Sequence, residues 1–196
     1  MEKFNLIKQV ASENDGILFA QDAPLRGISR ENLRQATLAG IIENIEYGVY
    51  VTKDTLPDDS FILQKKYSNA IFSHETAAYF LGYTTRDPII YCVTVPSWHN
   101  SKLLSKSHIK IYYSNSIRQE DIVEATNMFG RTIRCFNIEK TICDLFSPQF
   151  NGDKDVALEI IKTYARSGNK DISKLMSYAT TEKVRKAVRN YMEVLL

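Results

Sequence analysis

The chain has 196 residues, 44% hydrophobic and 24% charged, with a formal net charge of +2, as expected of a packed globular protein rather than a disordered one. No apolar run approaches the roughly 20 residues of a membrane span, and the opening Met1-Glu2-Lys3-Phe4-Asn5 lacks the charged-then-apolar pattern of a secretory leader. Cys92, Cys135 and Cys143 are odd in number and lack CxxC spacing, which argues against a disulfide framework or zinc site and points to a reducing cytoplasm.

Charge is unevenly spread. Residues 1–60 carry six Lys and Arg against ten Asp and Glu, whereas 61–196 carry nineteen against thirteen. The positive balance therefore lies in the C-terminal part, so the N-terminal part alone would not supply the attraction to a polyanion.

The first segment reads as a helix. Phe4, Ile7 and Ala11 share a face with Leu6 and Val10 beside them, and Asn14-Asp15-Gly16 stops it. A short apolar run, Ile17-Leu18-Phe19, follows. A brief helix begins near Asp22, where Pro24 is tolerated because a first helical turn has no amide bonds to lose. Gly27 interrupts the chain, Ser29 caps a helix through about Ala39, and Gly40 ends it. Ile41, Ile42 and Ile45 then alternate partly with polar residues, Tyr47-Gly48 offers a turn, and Val49-Tyr50-Val51-Thr52 is β-prone. That order of elements predicts a winged helix-turn-helix over 1–56. The polar, proline-containing run from Lys53 to Ser60 introduces a linker, placed over 57–68, ahead of a larger domain over 69–196.

The second domain alternates strands and helices. Ser73 caps a helix ending at Gly82. Ile89 to Val95 is a near-continuous apolar strand, Ile109 to Tyr113 a second, and Thr132 to Phe136 a third. Asn137 caps a helix through Phe146, and helices follow over about 153–166, 171–179 and 182–195. The expected class is α+β: a winged helix-turn-helix, then a mixed α/β domain with a helical C-terminus.

In a helix-turn-helix the second helix lies in the major groove. With Leu33 central to the buried face, Ala36, Thr37 and Gly40 join it. The opposite face carries Glu31, Arg34, Gln35 and Leu38, with Arg30 and Asn32 at its margins. Arg pairs with guanine, and Gln or Asn with adenine, through two hydrogen bonds. Ser29 is placed to donate to a phosphate at the helix N-terminus. Arg26 lies where the preceding helix would cross the backbone, and Lys53 follows the wing. Glu31 has two readings: it accepts from cytosine, or it pairs with Arg34 or Gln35. Glu43 and Glu46 in the wing would repel phosphates, so the module is expected to bind weakly alone.

The spacing Leu33-x-x-Ala36-x-x-x-Gly40-x-Ile42-x-x-Ile45-x-x-Gly48-Val49-Tyr50 resembles the N-terminal winged-helix domain of AbiEi-type antitoxins. Further along, the segments Phe72 to Gly82, Val93-Thr94-Val95-Pro96 and Arg134 to Phe146 resemble the antitoxin domain of the same family, so the likeness is scattered over residues 4–146. The resemblance implies an antitoxin of a bacterial abortive-infection system that limits phage spread. Its N-terminal domain would bind inverted repeats in its own promoter as a repressor. Its C-terminal domain would neutralise a nucleotidyltransferase-like toxin, by direct contact or otherwise. No cofactor and no metal are expected, and pairing on DNA is expected, with a monomer in solution as one option and the oligomeric state left open by the sequence. Tyr47 stands at the wing tip where relatives often carry a basic residue. A regulator acting alone, with a ligand-sensing C-terminal domain, is the alternative reading.

Catalytic sets are incoherent. Ser73-His74-Glu75 are adjacent in a helix and would point apart, leaving Ser73 as a cap and Glu75 as a first-turn carboxylate. Glu139-Lys140 lacks the intervening residue that a shared strand face requires. Lys140 and Asp144 are spaced for a helical ion pair. Asp153-Lys154-Asp155 has the spacing of a two-metal site but lacks the Gly-Ser loop, and Asp153 reads as a cap. His74, His99 and His108 lack ligand spacing.

From Pro88 to Gln119 there is no Asp or Glu. Lys102, Lys106 and Lys110 form a candidate basic surface there, with Trp98 as a candidate contact residue. The last helix aligns Val184, Val188, Tyr191 and Leu195, and presents Lys183, Lys186 and Arg189 as auxiliary phosphate contacts.

Overall fold

A computed structural model describes residues 2–99 and 108–195. The chain is α+β and divides into two compact units, 1–62 and 63–196.

In the first unit, α1 (Glu2–Ser12) buries Ile7, Val10 and Ala11, three positions at helical spacing. It ends where Asp15 and Gly16 take φ of 49° and 87° and the Gly16 amide donates to the Ala11 carbonyl. Strand β1 (Ile17–Phe19) pairs antiparallel with β3 (Val49–Thr52), which pairs antiparallel with β2 (Ile42–Glu46), giving the order β1-β3-β2. Between β1 and β2 lie a 3-10 turn (Ala23–Arg26), where a short helix is expected, and α2 (Arg30–Leu38).

Side-chain alternation along β1 explains why all three of its residues are buried. Leu18 joins Ile7, Val10, Ala23, Ile28, Leu33, Ala36 and Ile42 in one core. Ile17 and Phe19 join Val49, Val51 and Ile62 in another. Ile62 belongs to α3 (Asp59–Lys66), a helix within the stretch read as linker. Its start is fixed by Asp58, whose carboxylate accepts from the Phe61 amide at 3.0 Å and the Ser60 hydroxyl at 2.8 Å.

The second unit holds a five-stranded sheet in the order β6-β5-β4-β8-β7. Its strands are β4 (Ile71–Phe72), β5 (Tyr91–Pro96), β6 (Ile109–Ser114), β7 (Ile122–Thr126) and β8 (Thr132–Phe136). β5–β6 and β4–β8 are parallel, and β4–β5 and β7–β8 antiparallel. β5 starts two residues later than the apolar run suggests, because its partner begins at Ile109 opposite Tyr91; Ile89 is left 93% exposed. Helices α4 (His74–Phe80), α5 (Ile138–Leu145), α6 (Lys154–Arg166), α7 (Ile172–Tyr178) and α8 (Glu182–Leu195) complete the unit. The side chains of Ile142, Ile160, Tyr164, Leu175 and Val188 are fully enclosed in its helical core. Helix α8 turns Val184, Val188 and Met192 inward; Tyr191, expected on that face, lies at its margin against Phe146.

Candidate nucleic-acid interface

Helix α2 has two unlike sides. Leu33 and Ala36 are enclosed in the core and Thr37 is half-buried. Gly40, expected on the buried face, lies beyond the helix, exposed, at φ 66°. Arg30, Glu31, Arg34, Gln35 and Leu38 are exposed. The outward set expected from spacing is therefore the outward set observed.

The helix start is locked by a reciprocal cap. The Asn32 amide donates to Ser29 Oγ at 3.1 Å, while the Ser29 amide and hydroxyl both donate to Asn32 Oδ1 at 3.0 and 2.9 Å. Ser29 thus spends its hydroxyl hydrogen inside the cap, where a phosphate bond is expected of it. The cap also occupies the Asn32 carbonyl that adenine would require.

Glu31 organises the exposed face. Arg34 donates to it from Nε and Nη2, each at 3.0 Å, and Gln35 donates from Nε2 at 2.6 Å. The bonds from Arg34 and then Gln35 hold the Glu31 carboxyl down at about 2, and the same pairing raises the Arg34 guanidinium. Arg26 is bound to Glu13, in the turn just after α1, and so is already engaged within the unit. Lys53 is exposed just after β3. The β2–β3 turn presents Tyr47, 92% exposed, with Glu43 also exposed and Glu46 half-buried.

The auxiliary basic residues separate. Lys183, Lys186 and Arg189 are exposed on α8. Lys110 is already engaged within the unit: it is half-buried, donates to the Asn151 carbonyl and lies 5.4 Å above the Tyr112 ring. Lys102 and Lys106 lie outside the described residues. Trp98 is 77% exposed.

The second unit also contains a cleft of about 530 Å³, lined by His74, Thr94, Tyr112, Lys140, Asp144 and Tyr178 among others. Here the expected divergence of Ser73 and His74 fails. His74 has φ 52° rather than a helical value, and its Nδ1 lies 2.9 Å from Ser73 Oγ. Ser73 makes no side-chain cap bond; its hydroxyl accepts from Thr94 at 2.9 Å and shares a hydrogen bond with His74 Nδ1. The His74 ring stacks on Tyr112 at 3.6 Å and on Phe150 at 5.7 Å. Burial, then the charges of Lys140 and Lys110, push its pKa down to about 3. Ser73 is itself enclosed, without the access an attacking hydroxyl needs.

Lys140 and Asp144 form the ion pair expected, at 3.2 Å. Asp153 caps α6 by accepting from the Asp155 amide at 2.8 Å. Glu139 is buried and accepts from Tyr164 Oη at 3.2 Å. Sequence spacing does not reveal one further network: Asp121, 2% exposed, accepts from Arg118 and from Tyr178 Oη, each at 2.9 Å. All three cysteines are free and buried, and burial pushes their thiols up to about 12. No group of three or more His, Cys, Asp or Glu suited to a metal occurs among the described residues. No described helix is long and apolar enough to cross a membrane.

No protein-family model matches the chain, and no curated protein does. A similar solved structure is that of the RV2827C protein from Mycobacterium tuberculosis, with a TM-score of 0.67 at 12% identity over 95% of this chain and 74% of that one. The chain therefore shares a fold with that protein across nearly its whole length.

Proposed function

We propose that this chain is a non-enzymatic, cytoplasmic antitoxin of AbiEi type. On this reading its first unit is a winged helix-turn-helix that represses its own promoter at inverted repeats. Its second unit neutralises a nucleotidyltransferase-like toxin encoded beside it. The observation that carries the DNA-binding half is the orientation of α2, with Leu33 and Ala36 enclosed and Arg30, Arg34 and Gln35 outward. The order α1-β1-turn-α2-β2-β3, with β1 paired to β3, supports the same reading. The antitoxin half rests on the resemblance of Phe72 to Gly82 and Arg134 to Phe146 to the family's second domain.

The test is coexpression of the full chain with the neighbouring gene, together with a promoter-reporter assay on the upstream DNA. Rescue from growth arrest and repression of the reporter are expected. A neighbour that is harmless when expressed alone would remove the antitoxin assignment. A ligand-sensing regulator is favoured by one observation, the cleft beside His74 and Lys140. A ligand-induced rise in melting temperature, without rescue, would select it.

A further inference from the structure

We infer that α2 reads a guanine and an adenine in adjacent base pairs as one unit, with Arg34 and Gln35 as the readers and Glu31 as the residue that positions both. The inference rests on the DNA-binding reading above and specifies its target.

The hydrogen-bond inventory sets the argument. Arg34 has five N–H donors, and Glu31 takes two of them, one on Nε and one on Nη2. The side-on edge of the guanidinium is thereby filled. Its end-on edge, formed by Nη1 and the second hydrogen of Nη2, keeps the two parallel donors that guanine O6 and N7 accept. Gln35 gives one Nε2 hydrogen to Glu31. Its other hydrogen and its Oε1 are the donor and acceptor that adenine N7 and N6 require. Arg34 keeps its end-on edge, and Gln35 keeps one donor hydrogen and its acceptor oxygen.

Spacing follows from the shared oxygen. Arg34 Nη2 and Gln35 Nε2 are bonded to the same Glu31 Oε1, at 3.0 and 2.6 Å, so they stand less than about 6 Å apart. Successive base pairs rise about 3.4 Å. The two readers therefore reach the same base pair or neighbouring ones. A guanine and an adenine never share a Watson–Crick pair, which leaves neighbouring pairs. Glu31 fills about three of its four acceptor positions in doing this, which makes it a poor reader of cytosine. Fixing two long side chains beforehand also lowers the ordering cost of binding.

Selection from a randomised duplex library by the full chain tests this. The wild type should enrich a motif containing neighbouring G and A pairs. Arg34→Lys keeps the charge but loses the fork, and should weaken the preference at the guanine about 5- to 150-fold. Gln35→Ala should do the same at the adjacent adenine alone. Glu31→Gln removes a negative charge from the face, so affinity for random duplex should rise while both base preferences fall together. A merely structural role for Glu31 would not produce that opposite pair of changes. An enriched motif whose preferences survive Arg34→Lys and Gln35→Ala, or shift at separated positions, overturns the inference and leaves DNA reading standing. Enrichment of no motif removes the DNA-reading assignment and the inference with it.

Discussion

Leu33 and Leu38 test the orientation of α2 with one chemistry. Both are leucines on the same helix, but Leu33 is 1% exposed and Leu38 is 70% exposed. Leu33 packs into the cluster of Ile7, Val10, Leu18, Ile28 and Ile42, contributed by α1, the segment after the 3-10 turn and two strands. Truncating it to alanine removes three buried carbons and opens a space that these elements close only by moving together. The expected loss is about 3 kcal/mol, within the roughly 2 to 5 kcal/mol typical of a buried Leu→Ala change. Leu38→Ala should cost less than about 0.5 kcal/mol. The proper readout is local, because the two units need not unfold together. Amide hydrogen exchange at β1 and β3, whose backbone pairs are internal to the first unit, reports its opening free energy directly. Trp98, the chain's single tryptophan, lies in the second unit, so its fluorescence should follow that unit and move little. Equal costs for the two substitutions, or a larger cost for Leu38→Ala, would refute the assigned face and every reader placed on it.

His74 makes stability depend on pH. Its folded pKa is depressed to about 3 from 6.5, so below pH 6.5 the unfolded chain takes up a proton that the folded chain refuses. The stability this group contributes is complete above pH 6.5 and is lost progressively down to about pH 3, on the order of 5 kcal/mol in all. His74→Asn, which tolerates the positive φ, should flatten urea midpoints over that window; an unchanged slope would reject the assignment. Gly16→Ala should cost well over 2 kcal/mol, since a Cβ at φ +87° would lie 1.8 Å from Thr55 Oγ1, whereas Gly27→Ala meets nothing within 4 Å and should cost only about 1 kcal/mol. Thermal melts of the two variants would compare them, and similar midpoints would count against the Gly16 packing. On the DNA-binding reading proposed above, reversing Lys183, Lys186 and Arg189 to Glu should reduce the salt slope of duplex binding by up to about 2.7, or 0.9 for each phosphate no longer neutralised. An unchanged slope removes α8 from the interface.

Much of the first unit was legible because local chemistry and packing agree there. Ser29 caps, Leu33 and Ala36 repeat at helical spacing, and Gly16 stops α1 where its left-handed turn is needed. What local signals missed is set by partners distant in the chain. β4 is two residues long, too short to show alternation, and exists because β5 and β8 flank it. β7 is an edge strand with a half-exposed, mixed pattern, held by β8. α3 was obscured by its polar start, although Asp58 is itself a capping residue. At the candidate interface, the outward residues were legible but their engagement only partly so. The Glu31 pairing with Arg34 and Gln35 follows from helical spacing, whereas Arg26 meeting Glu13 and Lys110 lying over Tyr112 depend on tertiary packing. The Ser73–His74 contact required a positive φ that no rule for helical residues anticipates.

The brevity of β4 has a kinetic consequence. The larger sheet is two ribbons, β5–β6 and β7–β8, stitched by a seam of two residues, in which Ile71 faces Thr94 and Phe72 faces both Val93 and Cys135. The β7–β8 hairpin zips across a short turn, but joining Phe72 to Cys135 closes a loop of roughly 60 residues before any pairing energy is recovered. Each ribbon can therefore form without the other, and the seam carries the loop-closure cost of joining them. Phe72, with the rings of Phe80 and Tyr91 at 5.0 and 5.6 Å, is the tooth on which the zip catches.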